Sequence, residues 1–445
     1  MADRTAIEWT DATWPIVQGC DPVTHGCTHC YVPSILWRHA HNPDPKISTP
    51  VVGLAEKHKG KVRFTGKVAL REDRLDWPLR WRRSRRIFVP SHGDPFHKAV
   101  PDSFIAEIYA VMICAVHANG HTFQVLTKRS DRARTLLADE GFWDEVDAFV
   151  AGIIAERVDP LHRRSDDLRA TVDRYGPDNP PPGIWLGVSI EDQATADARI
   201  PLLLDTPAAV RFVSAEPLLG PIDFGRMGSI GLVGGFPTAK DIEGIDALAG
   251  RRYRYNVVRA GGRHRAPSYS HGWNYAGDCN RLDWIIVGGE SGPNARPMHP
   301  AWARSIRDQC QADDVAFFFK QWGAWAPVRE LGESDGLYHP APASDPDAMR
   351  RCRHASLVMH ADGAIFDRIK AGGYHTSTAG AFAAGTGAMT MFDVGKAAAG
   401  RLLDGREWSE FPAPRPPSNS PLAGGREAAA TTPLPLQGGG SRRGS

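Results

Sequence analysis

Six short runs of apolar, β-branched and aromatic residues recur along the chain, and each stops abruptly on polar residues. They are RIFVPSHGD (86–94), TFQVLTKR (122–129), IWLGVSIED (184–192), RFVSAEP (211–217), DWIIVGGES (283–291) and AFFFKQWG (316–323). Runs that are apolar at consecutive positions suit strands buried on both faces, the habit of parallel sheets. Between them lie helical patterns. In PDSFIAEIYAVMICAVHANG, Asp102 or Ser103 stands as N-cap, Ile105, Ile108, Tyr109, Met112 and Ile113 make an apolar stripe, and Gly120 follows the end. EDQATADARIPLLLDT and HPAWARSIRDQCQADD repeat the arrangement after later strands. Alternating strands and helices predict an α/β fold: a partial or complete (β/α) barrel of six to eight parallel strands, with weaker strand candidates around residues 14–17 and 67–70. An open doubly wound sheet is the second choice.

A βα barrel places its chemistry at the C-terminal ends of its strands. Here those ends carry His92, Asp94, Lys128, Arg129, Ser189, Glu191, Ser214, Glu216, Glu290, Ser291, Lys320 and Gln321. A strand that ends at the surface must end in something polar, but several carboxylates and lysines on one rim make a candidate site. Glu216, Glu290, Lys128 and Lys320 are its candidate catalytic groups.

The stretch QGCDPVTHGCTHCYVPS (18–34) concentrates Cys20, Cys27 and Cys30 in eleven residues, with His25 and His29 between them. Only four other cysteines occur in the 445 residues. An odd total with most members isolated is no disulfide framework, and so tight a cluster points to metal binding or catalysis. Zinc would need a fourth ligand, supplied by His25 or His29. A [4Fe–4S] cluster held by three cysteines would leave one iron open to a small molecule. A disulfide between two of the three, or simple burial, are the other readings.

The remaining sequence bounds the problem. Basic and acidic residues nearly balance, 53 against 51, so net charge alone argues for no nucleic-acid partner. No signal-peptide pattern and no apolar run near 18 residues appears, which makes the cytoplasm the expected compartment and excludes a membrane partner. The barrel is expected over residues 1–327, with insertions at about 151–183 and 225–281, a helical or irregular extension over 328–412, and a disordered Pro/Gly/Ser-rich tail over 413–445. A helix is expected within FDVGKAAAGRLLDG. The basic run RWRRSRR (80–86) and the Gly-, Arg- and Tyr-rich second insertion suggest nucleic acid as a substrate class, beside the plainer reading of solvated surface.

A three-cysteine loop after the first strand of a (β/α) barrel resembles the radical S-adenosylmethionine enzymes, although C-x6-C-x2-C replaces their usual C-x3-C-x2-C. The resemblance implies a [4Fe–4S] cluster on Cys20, Cys27 and Cys30, S-adenosylmethionine chelated at the open iron, a 5′-deoxyadenosyl radical and an external reductant. It also implies cofactor contacts: Gly93 and Asp94 for the methionine ammonium, and Ser214, Glu216, Gly288, Gly289 and Glu290 for ribose, ammonium or substrate. A wider resemblance over about residues 5–412 is carried by TAIEWTDATW, the cysteine loop, RIFVPSHGDPFH, FQVLTKR, WLGVSIED, RFVSAEPLLGPI, DWIIVGGESGPNARPMHP, FFFKQWG and KAAAGRLLDGREWSEFP. It is to the phage- and mobile-element-associated three-cysteine-motif family, whose members are of unknown function and for which a separately encoded partner protein is implied. Two alternatives stand beside an iron–sulfur enzyme: a zinc-stabilised nucleic-acid-binding or adaptor protein without catalysis, and a metal-dependent hydrolase using His92, Asp94, His97 and Glu216.

Overall fold

The computed structural model describes residues 5–156, 175–228, 242–260, 268–331, 337–339, 351–374 and 376–413. The six expected runs are strands, joined by a short first one: β1 (Ala12–Thr13), β2 (Arg86–Val89), β3 (Thr122–Thr127), β4 (Ile184–Ile190), β5 (Val210–Ala215), β6 (Trp284–Gly288) and β7 (Ala316–Gln321). They form one sheet in that spatial order, every pair parallel. Spatial order equals chain order, so the winding never reverses as a doubly wound sheet requires. The sheet is a curled half barrel.

Six helices matter for the site: α1 (Val32–Ala40), α2 (Asp102–Asn119), α3 (Ser130–Leu137), α4 (Glu140–Glu156), α5 (Gln193–Leu204) and α6 (Pro300–Ala312). The crossover helix α2 ends on Gly120 at φ 67°, whose N–H bonds the Val116 carbonyl, a left-handed position that glycine takes without steric cost. Its start differs from expectation: Pro101 is the N-cap, and Asp102, the first helical residue, pairs with Arg132. Helix α5 is fixed by a capping box between Asp192 and Thr195.

Strand side chains alternate between faces. Ile87, Val89, Phe123, Val125, Ile184, Leu186, Val213, Ile285, Val287, Phe317 and Phe319 lie in the core shared with the helices. The intervening positions Phe88, Phe212, Trp284, Ile286 and Phe318 pack with Trp9 in a second, concave-side cluster, joined by Leu126, Trp185 and Phe411. Trp284 is its hub, with ring centroids 5.0–6.1 Å from Trp9, Trp185, Phe212, Phe318 and Phe411. Gly187 leaves room for this floor, since a Cβ there would lie 2.5 Å from the Phe212 ring. The open edge of β7 is covered by residues 408–410, through Phe319 N–H to Trp408 O at 3.0 Å and Glu410 N–H to Phe317 O at 3.2 Å.

Three regions depart from the sequence reading. Neither weak strand candidate enters the main sheet: Val17–Gly19 pairs antiparallel with Ala69–Leu70 and parallel with His92–Gly93 in a small separate sheet. Where a helical or irregular extension was expected, Trp325–Pro327, Met389–Asp393, Ala355–Met359 and Ile365–Ile369 form a four-stranded antiparallel sheet. The expected helix there is one turn, Lys396–Ala399. The second insertion carries a three-stranded antiparallel sheet, Ile242–Asp246, Arg251–Ala260 and Ser268–Asp278. Residues 157–174 of the first insertion and the tail from residue 414 lie outside the described residues. Among the described residues no helix is long and apolar enough to cross a membrane.

Candidate functional site

The alternation that builds the aromatic floor also builds a polar mouth. Two or four residues beyond floor positions, the concave face carries Lys128 after Leu126, Ser189 after Trp185, Ser214 after Phe212, Gly288 after Ile286 and Lys320 after Phe318. Glu216 is held there by Lys320 Nζ at 3.0 Å and by the Ser214 hydroxyl, which donates to it at 3.1 Å. Ser189 donates to the Glu216 carbonyl at 3.3 Å. Gly288 leaves the room Glu216 uses, since a Cβ would stand 2.4 Å from a Glu216 carboxylate oxygen and push that side chain aside.

Three other carboxylates are more heavily engaged. Glu191, fully buried, pairs with Lys128 and with Arg199 at 3.3 Å, and accepts from the Thr24 hydroxyl at 3.1 Å. Glu290 takes both ends of the Arg296 guanidinium at 2.6 and 2.9 Å, the Arg296 N–H at 2.8 Å and the His29 ring at 2.9 Å. Burial alone would raise its carboxyl, but Arg296 and His29 outweigh it and hold it below the usual range. Asp94 accepts from the Thr127 hydroxyl at 2.7 Å, the Phe96 and Lys128 N–H groups at 3.0 Å, and Arg129 at 3.1 Å.

Across this mouth lies the cysteine loop, entered from Val17–Gly19 and left through α1. Each anchor sits beyond a different strand. Beyond β3, Arg129 bonds Asp21 and approaches the Cys20 sulfur at 3.6 Å. Beyond β4, Glu191 takes Thr24, and Asp192 faces the His25 ring at 3.3 Å. Beyond β6, Glu290 takes His29 while Arg296 donates to the His25 carbonyl at 3.1 Å. Gly26 packs so closely on Glu191 that a Cβ would meet its carboxylate at 2.4 Å. The loop is therefore clamped over the mouth by the mouth's own charged groups.

The three thiols differ. Burial pushes Cys20 up to about 11 against the pull of Arg129, and burial likewise pushes Cys30 up to about 11. Cys27 is also raised by burial, yet Lys128 and bonds from the Thr24 and Val23 backbone overcome this and lower it. Burial in turn depresses Lys128. Three soft donors with Lys128 and Arg129 beside them to offset thiolate charge suit an iron–sulfur cluster. Among the described residues no three His, Cys, Asp or Glu side chains gather as a one-ion shell. A single zinc would need a fourth donor beside the three thiols.

Most rim residues expected from the sequence do surround one mouth. His92, with its ring against Gln18 at 3.1 Å, is lowered to about 4 by burial and the charges of His39 and Arg74. His97 faces Asp21 at 3.1 Å and accepts the Ala99 N–H at 3.1 Å. Gly289 serves backbone packing, since a Cβ would lie 1.9 Å from the Trp322 carbonyl. Gly93 packs in the same way on the Val17 carbonyl, 2.8 Å from where a Cβ would be. The basic run splits: Arg80 pairs with Asp76, and Arg86 pairs with Asp11 and stacks on Phe411 at 4.1 Å. Asp21, Thr24, Arg199 and Arg296 join the site without having stood among its candidates. Arg199, two turns into α5, and Arg296, in an irregular loop, carried no spacing signal.

Fold and site together define a class: a parallel half barrel whose polar mouth is crossed by a three-cysteine loop. Residues 4–412 match the family described as "Protein of unknown function (DUF5131)", and the chain belongs to that family. No curated protein and no solved structure matches it.

Proposed function

We propose that this protein is an iron–sulfur enzyme of the radical S-adenosylmethionine type, with the cluster held by Cys20, Cys27 and Cys30. The observation that carries the reading is the clamping of the three-cysteine loop over the polar mouth, through Arg129, Glu191 and Glu290 on three different strand ends. When bound and reduced, such a cluster supplies the cleavage of the sulfonium to a 5′-deoxyadenosyl radical. The chain's own part is to bind, orient and shield. Glu216 keeps the most accepting capacity of the rim carboxylates, with Lys320 and Ser214 as its two donors. It is the group best placed to receive the methionine ammonium; Asp94, with four donors, is a strut for Arg129 and the Lys128 backbone. The resemblance to phage- and mobile-element-associated proteins belongs to the same reading.

The alternatives find less to stand on. The histidines that would complete a zinc shell face Asp192 and Glu290.

The test is metal analysis and EPR of anaerobically reconstituted protein beside its Cys27→Ala variant, with and without S-adenosylmethionine. About four irons per chain and a reduced-cluster signal that the nucleotide alters and the variant loses are expected. One tightly held zinc, no iron and no response to the nucleotide would overturn the proposal. Glu216→Gln is expected to keep the iron content and weaken the response to S-adenosylmethionine about tenfold, the scale of one charge-assisted hydrogen bond.

A further inference from the structure

The second insertion concentrates charge that the chain as a whole lacks. The stretch that carries its three-stranded sheet, Ile242 to Asp278, has six arginines against three acidic residues, Glu243, Asp246 and Asp278, in a protein with 53 basic and 51 acidic residues. The same stretch holds four of the nine tyrosines and Trp273.

The register sorts these residues. Ile245 pairs with Arg252, and both belong to the side that meets the body: Ile245 is buried and Arg252 bonds Asp205 at 2.5 Å. Tyr253, the next residue, pairs with Tyr275 on the other side, the rings edge to face at 6.3 Å, with Tyr275 59% exposed. The Tyr275 hydroxyl donates to Asp278 at 2.6 Å, which fixes the direction of the ring. Past the irregularity at 252/253 the pairing runs unbroken, so the positions of Tyr255 and Trp273, then Arg259 and Tyr269, fall on the same side as Tyr253 and Tyr275. A ladder of aromatic positions with the positions of Arg251 and Arg259 at its two ends on the same side, on strands of 10 and 11 residues, is the arrangement that stacks bases while neutralising phosphates.

We infer that this three-stranded sheet is a binding platform for single-stranded nucleic acid, its bases stacking on the Tyr253/Tyr275 side and its phosphates met by the arginines. The platform stands whether or not the cysteines hold a cluster. Acidic protein surfaces and anionic membranes share the charge requirement but not the need for stacking.

Fluorescence anisotropy of the full chain with labelled oligothymidylate and oligouridylate of about 20 nucleotides, with a duplex of equal length, and sedimentation with phosphatidylserine vesicles, test it. Tighter binding of either single strand than of duplex is expected, and comparison of the two tells DNA from RNA. Tyr255→Ala with Trp273→Ala should weaken it tenfold or more, and Arg251→Gln with Arg259→Gln should flatten its salt dependence. Photocrosslinking of the wild-type chain, which needs no variant to fold, should label peptides within residues 251–278. No single-strand binding at low salt, vesicle binding alone, or crosslinks confined elsewhere would each overturn the inference.

Discussion

At the scale of single residues, the site is governed by buried charges that have few ways to be satisfied. Glu191 is wholly enclosed between Lys128, Arg199 and Thr24. Glu191→Gln leaves two buried cations without their counter-charge, a loss of about 3–5 kcal/mol, to be read as a lower urea midpoint. Glu56→Gln, which breaks an ion pair with Arg63 on an exposed hairpin, leaves that midpoint unchanged. The thiols give a second prediction. In protein purified without iron, Cys27 is the first of the seven cysteines to be alkylated by iodoacetamide near neutral pH, because its thiol is lowered while Cys20 and Cys30 are both pushed up to about 11. Peptide mapping by mass spectrometry gives the order, and earlier labelling of Cys20 or Cys30 would falsify it. Cys27 was legible as a ligand candidate in the sequence; its difference from its neighbours was not, because Lys128 reaches it from a strand end about a hundred residues away.

At the scale of elements, close packing sets the tolerances. A Cβ on Gly289 would fall 1.9 Å from the Trp322 carbonyl oxygen, backbone against backbone. Gly289→Ala therefore costs more than Gly187→Ala, whose Cβ meets a Phe212 ring 2.5 Å away that can shift slightly; the latter costs about 1–3 kcal/mol. Gly152 lies inside α4 with nothing within 4 Å of its added Cβ, so Gly152→Ala stabilises by about 0.5–1 kcal/mol and raises the melting temperature. The six long strands were readable because consecutive apolar residues leave few other solutions. The two-residue β1 and the strands after residue 325 were not: a strand that short has no period, and Gly- and Ala-rich stretches match several structures until a partner strand selects one.

At the scale of the whole molecule, buried neutral histidines couple the fold to pH. His92, His97, His121 and His299 are all lowered, chiefly by burial, His92 to about 4. His121 donates to the Pro78 carbonyl and accepts the Arg85 N–H, and His299 donates to the Gly387 carbonyl and accepts the Ala301 N–H, so both rings are used as neutral imidazoles. Between the unfolded value near 6.5 and the lower folded values, the unfolded chain binds more protons, so stability is full above about pH 6.5 and falls as pH drops through that window. The slope is about 1.4 kcal/mol per pH unit for each histidine that stays neutral only when folded. Calorimetric melting temperatures should therefore decline from pH 7.5 to 5, and a flat profile would refute the coupling.

The sequence by itself determined the sheet, because a run of consecutive apolar residues must be buried on both faces and alternation with helices makes the strands parallel. It also determined which residue types stand at the mouth, since each strand has to end in water, and it placed three thiols within one loop of eleven residues. Only the tertiary structure decided their partners. Arg129, Glu191 and Glu290 lie far apart in the chain, yet they meet the cysteine loop because curling the sheet brings strand ends to one rim. Burial there makes ion pairing obligatory, and which charges answer one another is settled by distance in space, a quantity that spacing along the chain does not contain.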